Sequence, residues 1–77
     1  MSKETILTHL RLQHHLHSQQ LNLYQNELAT DIQAQFSDPL LGRDARLWDA
    51  TRRMGEIFEE MTIRWLDETI AMIEQEF

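Results

Sequence analysis

The sequence predicts an all-α fold: two long antiparallel helices forming a helical hairpin, which assembles as a dimeric coiled-coil or four-helix arrangement. Three observations carry that expectation. The 77 residues hold only two glycines and one proline, too few turn formers for a strand-and-turn fold. The one cluster of helix breakers, Ser37-Asp38-Pro39-Leu40-Leu41-Gly42, falls near the middle of the chain. On either side of it apolar residues recur at steps of three and four, the spacing that lines one face of a helix. The expected organisation is one helical domain, residues 1–77, with a helix over about 3–36, a linker at 37–42 and a helix over about 43–77.

The first helix is free of Pro and Gly from Thr5 to Phe36. Ser2 is placed to cap it, because its hydroxyl can accept an amide proton that the first turn leaves without a partner. At about 100° per residue, Ile6, Leu10, Leu21, Tyr24, Leu28 and Ile32 group on one side, and Leu12, Leu16 and Leu23 fall roughly opposite. The first side follows 3-4 spacing through Leu7, Leu10, His14, His17, Leu21, Tyr24 and Leu28, which suits packing against an antiparallel neighbour. Much of the remaining surface is glutamine, as at Gln13, Gln19, Gln20, Gln25, Gln33 and Gln35. Uncharged amides cost less to bury at an interface than charges do.

In the linker, Pro39 disfavours helical geometry at Asp38, and Asp38 can cap a new helix with Pro39 at its first position. Gly42 is a second soft spot, so the second helix starts either at Asp38 or near Arg43.

The second helix carries Leu47, Thr51, Met54, Phe58, Met61, Trp65 and Met72 at heptad steps, with Glu68 as the one charged member. Trp48, Gly55, Leu66, Ile70, Ile73 and Phe77 run along the adjacent side, and Asp49, Glu56, Glu60, Asp67 and Glu74 fill the arc expected to face water. Glu60 and Arg64 have the spacing of an i,i+4 ion pair. Gly55, about 1 kcal/mol worse than Ala inside a helix, anticipates close approach of another backbone or a bulky ring.

Both helices are thus apolar on two faces, and an isolated hairpin can bury only one of each. It would leave Trp48, Leu66, Ile70, Ile73 and Phe77 wet on one helix and Leu12, Leu16 and Leu23 on the other. Patches of this kind mark interaction surfaces, and each large apolar side chain taken fully out of water contributes about 1.5–3 kcal/mol. A two-fold homodimer is the commonest way to close such a structure.

Other function classes are disfavoured. There is no cysteine, so no disulfide or thiolate metal site can staple the chain. A net charge of −6 with seven basic residues disfavours direct contact with nucleic acid, whose phosphates need clustered Lys and Arg. No run approaches the roughly 20 apolar residues of a membrane span, and the start lacks the apolar core and cleavage site of a signal peptide. The expected compartment is the cytoplasm. Of His9, His14, His15 and His17, only His14 and His17 have helical ligand spacing. Both lie on the first apolar side, with no acid near them in sequence, and they read as interfacial imidazoles without a metal. The glutamates at 56, 59, 60 and 68 read as a solvated face, since none stands in the Glu-x-x-His step of a bundle di-metal site. Ser2 and Ser37 read as caps. No residue is assigned to catalysis or to a cofactor.

Two segments carry a resemblance. One is His15-Leu16-His17-Ser18-Gln19-Gln20-Leu21-Asn22-Leu23-Tyr24, preceded by Leu10-x-Leu12-Gln13; the other runs from Gly55 through Arg64-Trp65-Leu66-Asp67-Glu68-Thr69-Ile70. Together they resemble the C-terminal domain of PadR-like transcriptional regulators of the virulence-activator type, over about Thr5 to Glu76. The resemblance implies a dimerisation domain whose long helices cross those of a second subunit. Carried onto this chain, the dimer-forming positions would be Leu10, Leu16, Leu21 and Tyr24 with Phe58, Met61, Trp65 and Leu66. Family members carry a winged helix-turn-helix ahead of this domain, and the chain shows no such DNA-binding domain. The expected partners are therefore a second copy of the chain, a full-length regulator, or another protein. The alternative is a free-standing helical-hairpin adaptor or chaperone, as in bacterial secretion systems, whose open apolar face binds a different protein. Self-association separates the two.

Overall fold

Ser2 starts the first helical arm, its hydroxyl accepting from the amide of Thr5 at 3.1 Å. In the computed structural model, which describes residues 1–77, that arm comprises α1 (Lys3–Leu23), a π-helical segment (Tyr24–Leu28) and α2 (Ala29–Gln33). A helix reaching about residue 36 is expected, but regular α bonding stops at Gln33. Shorter i→i+3 bonds, from the amides of Gln35 and Phe36 to the carbonyls of Ile32 and Gln33, tighten the end.

Asp38 shapes the connection and does not start the second helix. Its carboxylate accepts from the amides of Leu40 at 2.7 Å and Leu41 at 3.0 Å, and its carbonyl accepts from Gly42 at 2.9 Å. The second arm, α3, runs from Gly42 to Glu76. A Cβ on Gly42 would lie 2.5 Å from the carbonyl oxygen of Phe36, so glycine alone lets α3 begin against the end of the first arm. The Arg46 guanidinium sits 5.0 Å from the centroid of the Phe36 ring, a cation–π contact across the same corner.

The arms lie antiparallel in a rod of 57 × 15 × 14 Å with a radius of gyration of 17.2 Å. A compact chain of this length would have a radius near 11.5 Å, roughly, by the usual scaling. The core is correspondingly thin. Its buried apolar residues are Leu7, Ala29, Ala45, Leu66 and Ile73.

The first arm turns its expected face inward: Leu7 is buried, and Leu10, His14, His17, Leu21, Tyr24 and Leu28 are half-buried. On α3 the inner face differs from expectation. It is the series Gly42, Ala45, Asp49, Arg52, Glu56, Glu59, Ile63, Leu66, Ile70 and Ile73, all buried or half-buried. Leu66 and Ile73 are therefore enclosed, not wet, while the heptad stripe from Leu47 to Met72 lies outside. Asp49 and Glu56 do not face water, and Glu59 is only 6% exposed. Small residues and paired charges let this polar side of α3 pack closely. At Gly55, a Cβ would meet the Tyr24 ring at 2.7 Å, so the bulky ring anticipated there is Tyr24.

Candidate protein-interaction surface

The inner face of α3 fixes which side of the helix is left over. Arg52, with its side chain 10% exposed, is the anchor. Its Nε donates to Asp49 at 2.8 Å, and its Nη1 donates to Glu56 at 2.5 Å and to the carbonyl of Tyr24 at 3.2 Å. That carbonyl opens the π-helical segment, so one guanidinium ties α3 to the irregular turn of the first arm. Its pKa is held above the ordinary guanidinium value, chiefly by the hydrogen bond to Asp49 and then by that to Glu56, against the opposing effect of burial.

Further along the seam, the imidazole Nδ1 of His17 lies 2.5 Å from the Glu59 carboxylate, and Nε2 of His14 lies 2.8 Å from Asp67. Arg11 pairs with Glu74 at 2.5 Å. The histidines have no acid near them in sequence, so their partners come from the other arm, 42 residues away for His17. Neither pair belongs to a group of three or more His, Asp or Glu that could hold a metal. The i,i+4 pair expected between Glu60 and Arg64 does not form: Arg64 reaches Glu68 at 3.3 Å, and Glu60 faces Arg53 at 3.4 Å.

With this side turned to the first arm, the opposite side of α3 is open. Leu47, Met54, Ile57, Phe58, Met61, Trp65 and Met72 are between 41% and 68% exposed. Thr51 and Glu68 are the polar members of the stripe, and Met61, Thr62 and Trp65 border an open hollow on it. On the back of α1, Leu12 and Leu16 are exposed, while Leu23 is half-buried.

The eight expected interface residues divide between these surfaces. Leu16, Phe58, Met61 and Trp65 are exposed; Leu10, Leu21 and Tyr24 are half-buried and Leu66 is buried within the hairpin. The expectation omits Leu47, Met54 and Met72, although their heptad spacing with Phe58, Met61 and Trp65 is visible in the sequence. It also omits Arg52 and Glu59, whose partners no local pattern reveals.

The amount of open surface is large for the chain. The hairpin exposes 5731 Å², against about 4,900 Å² for a compact monomer of its mass. The excess, roughly 800 Å², is about what one partner gives up in an interface of standard size.

Over residues 1–74 the chain matches the family model described as virulence activator alpha C-term. No curated protein matches it, and no solved structure does. No helix is long and apolar enough to cross a membrane.

Proposed function

The chain belongs to the virulence activator alpha C-terminal family, and from that premise we propose that it is the non-catalytic dimerisation domain of a PadR-like transcriptional regulator. It acts in the cytoplasm and pairs with a second copy of itself. The observation that carries this reading is the long, charge-poor outer side of α3, exposed along its whole length in the single hairpin. Phe58, Met61 and Trp65 meet the second subunit there, while Leu16, exposed on the back of α1, lies outside that contact. Leu10, Leu21, Tyr24 and Leu66 hold the hairpin beneath. The role is to join two subunits, and DNA is left to other parts of the regulator.

Sedimentation equilibrium at micromolar concentrations tests the reading. The wild type is expected to be a dimer. Phe58→Ser with Trp65→Ser removes two exposed rings without touching the seam and is expected to shift the equilibrium to monomer. Leu12→Ser, on the back of α1, should leave the dimer in place. A wild-type monomer at every concentration would overturn the proposal and give the α3 face to a different protein, as in a helical-hairpin adaptor.

A further inference from the structure

The outer stripe of α3 specifies how the second copy is oriented. Resting on the dimerisation reading above, we infer that two α3 helices pair antiparallel about a two-fold axis passing between residues 59 and 60. The stripe is Leu47, Thr51, Met54, Phe58, Met61, Trp65, Glu68 and Met72. Reversed about that axis, it falls onto itself. Leu47 lies against Met72 of the second copy, Met54 against Trp65, Phe58 against Met61, and Thr51 against Glu68.

The two polar members of the stripe therefore face each other, and every apolar member faces an apolar one. No neighbouring register does this. A slip of one heptad in one direction puts Glu68 against Asp44 of the second copy; a slip in the other puts it against Phe58 and leaves Leu47 beyond the end of the helix. Parallel pairing puts Glu68 against its own copy, and like charges directly opposed are unfavourable.

The charge along α3 points the same way. Residues 42–53 hold four arginines against two aspartates, whereas residues 54–76 hold one arginine against seven acids. Antiparallel pairing lays residues 42–53 of each helix over residues 66–77 of the other, where Asp67, Glu68, Glu74 and Glu76 stand without a basic residue, and parallel pairing stacks those four acids on their own copies. Of the flanking positions, Ala50, Thr62, Thr69 and Ala71 are small and uncharged, and Trp48 and Ile57 are exposed apolar side chains that extend the contact. Arg64, the charged residue on this flank, is already bridged to Glu68 of its own chain at 3.3 Å. In this arrangement the α1 helices lie outermost, and Leu12 and Leu16 stay outside the α3–α3 contact.

The chain has no cysteine, so introduced thiols report position without interference. Leu47→Cys and Met72→Cys are purified separately, then refolded alone and as a mixture, oxidised, and analysed for cross-linked dimer beside sedimentation of the same samples. The expected result is a cross-link in the mixture and none in either variant alone. In the inferred pairing, residue 47 and its own copy lie about 37 Å apart along the axis, far beyond disulfide reach. Cross-linking of Leu47→Cys with itself would show a parallel dimer, and a dimer without cross-links in the mixture would show that another face or register is used. Either result overturns the inference and leaves the dimerisation reading standing. A monomer by sedimentation removes both.

Discussion

The contact between Gly55 and Tyr24 shows how one position can set the spacing of the two arms. Glycine is unfavourable within a helix by about 1 kcal/mol relative to alanine, yet at position 55 the missing Cβ is what admits the Tyr24 ring. Tyr24 has little freedom to retreat, because its backbone opens the π-helical segment and its carbonyl is held by Arg52. Gly55→Ala is therefore expected to destabilise the hairpin by about 1–2 kcal/mol, overpacking outweighing the gain in helix propensity. In a Tyr24→Ala background the sign should reverse, since the added methyl then meets open space and the propensity gain of up to about 1 kcal/mol remains. Urea midpoints of the four proteins, taken at one protein concentration, decide this. A stabilising Gly55→Ala in the wild-type background would show that the ring does not require the glycine. The sequence announces that something bulky approaches Gly55 but not what, because nothing local links it to a residue 31 positions earlier.

Between elements, ion pairing decides which side of α3 faces the first arm. Ranking residues by hydrophobicity favours burying the Leu47–Met72 stripe; the structure buries Glu59 and half-buries Arg52 and Glu56 beside Ala45, Leu66 and Ile73. That choice is tenable because each charge finds a partner. Arg52 holds Asp49 and Glu56, and His17 is the hydrogen-bond partner of the enclosed Glu59 carboxylate. The pKa of Arg52 is raised on folding, so its contribution is complete below the unfolded guanidinium value and is lost only in strongly alkaline solution. The guanidinium therefore stays charged up to strongly alkaline pH.

His17→Ala strands the Glu59 carboxylate and should lose about 1–3 kcal/mol. The double change His17→Leu with Glu59→Leu should recover most of that, since apolar replacement of both partners is often neutral or better. Chemical denaturation of the two single leucine variants alongside the double one measures the coupling. Additive losses would mean that the pair does not act as a unit. The inner face of the first arm is legible in advance, its leucines and histidines marking one stripe by spacing alone. That of α3 is not, because its acids resemble a solvated face until the histidines of the other arm are brought against them. The open stripe is itself written plainly in heptad steps, and what spacing leaves undetermined is whether it faces the first arm or a second molecule.

For the whole molecule, the thin core and the extended shape have one thermodynamic consequence. Seven of the 77 residues are buried, and none of the large side chains is fully enclosed. On the proposed dimerisation, a hairpin with so little interior draws much of its stability from association, and folding and pairing form one equilibrium. The melting temperature then rises with protein concentration, as mass action requires of a dimer that unfolds to two chains. At about 0.7 kcal/mol of unfolding enthalpy per residue, a dimer of this chain should gain about 5 °C for each tenfold rise in concentration. The contrast is sharp, because a hairpin stable by itself melts at a temperature independent of concentration. Thermal scans followed by far-UV circular dichroism from about 1 to 100 µM, a range spanning ordinary protein affinities, should show the shift in the wild type. In Phe58→Ser with Trp65→Ser, lost rings weaken the pairing without altering the seam, so the scans should begin at a lower temperature and the helical signal at 1 µM should fall first. A wild-type melting temperature constant across the range would mean that the antiparallel seam suffices alone and that the open face of α3 adds nothing to the stability of the fold.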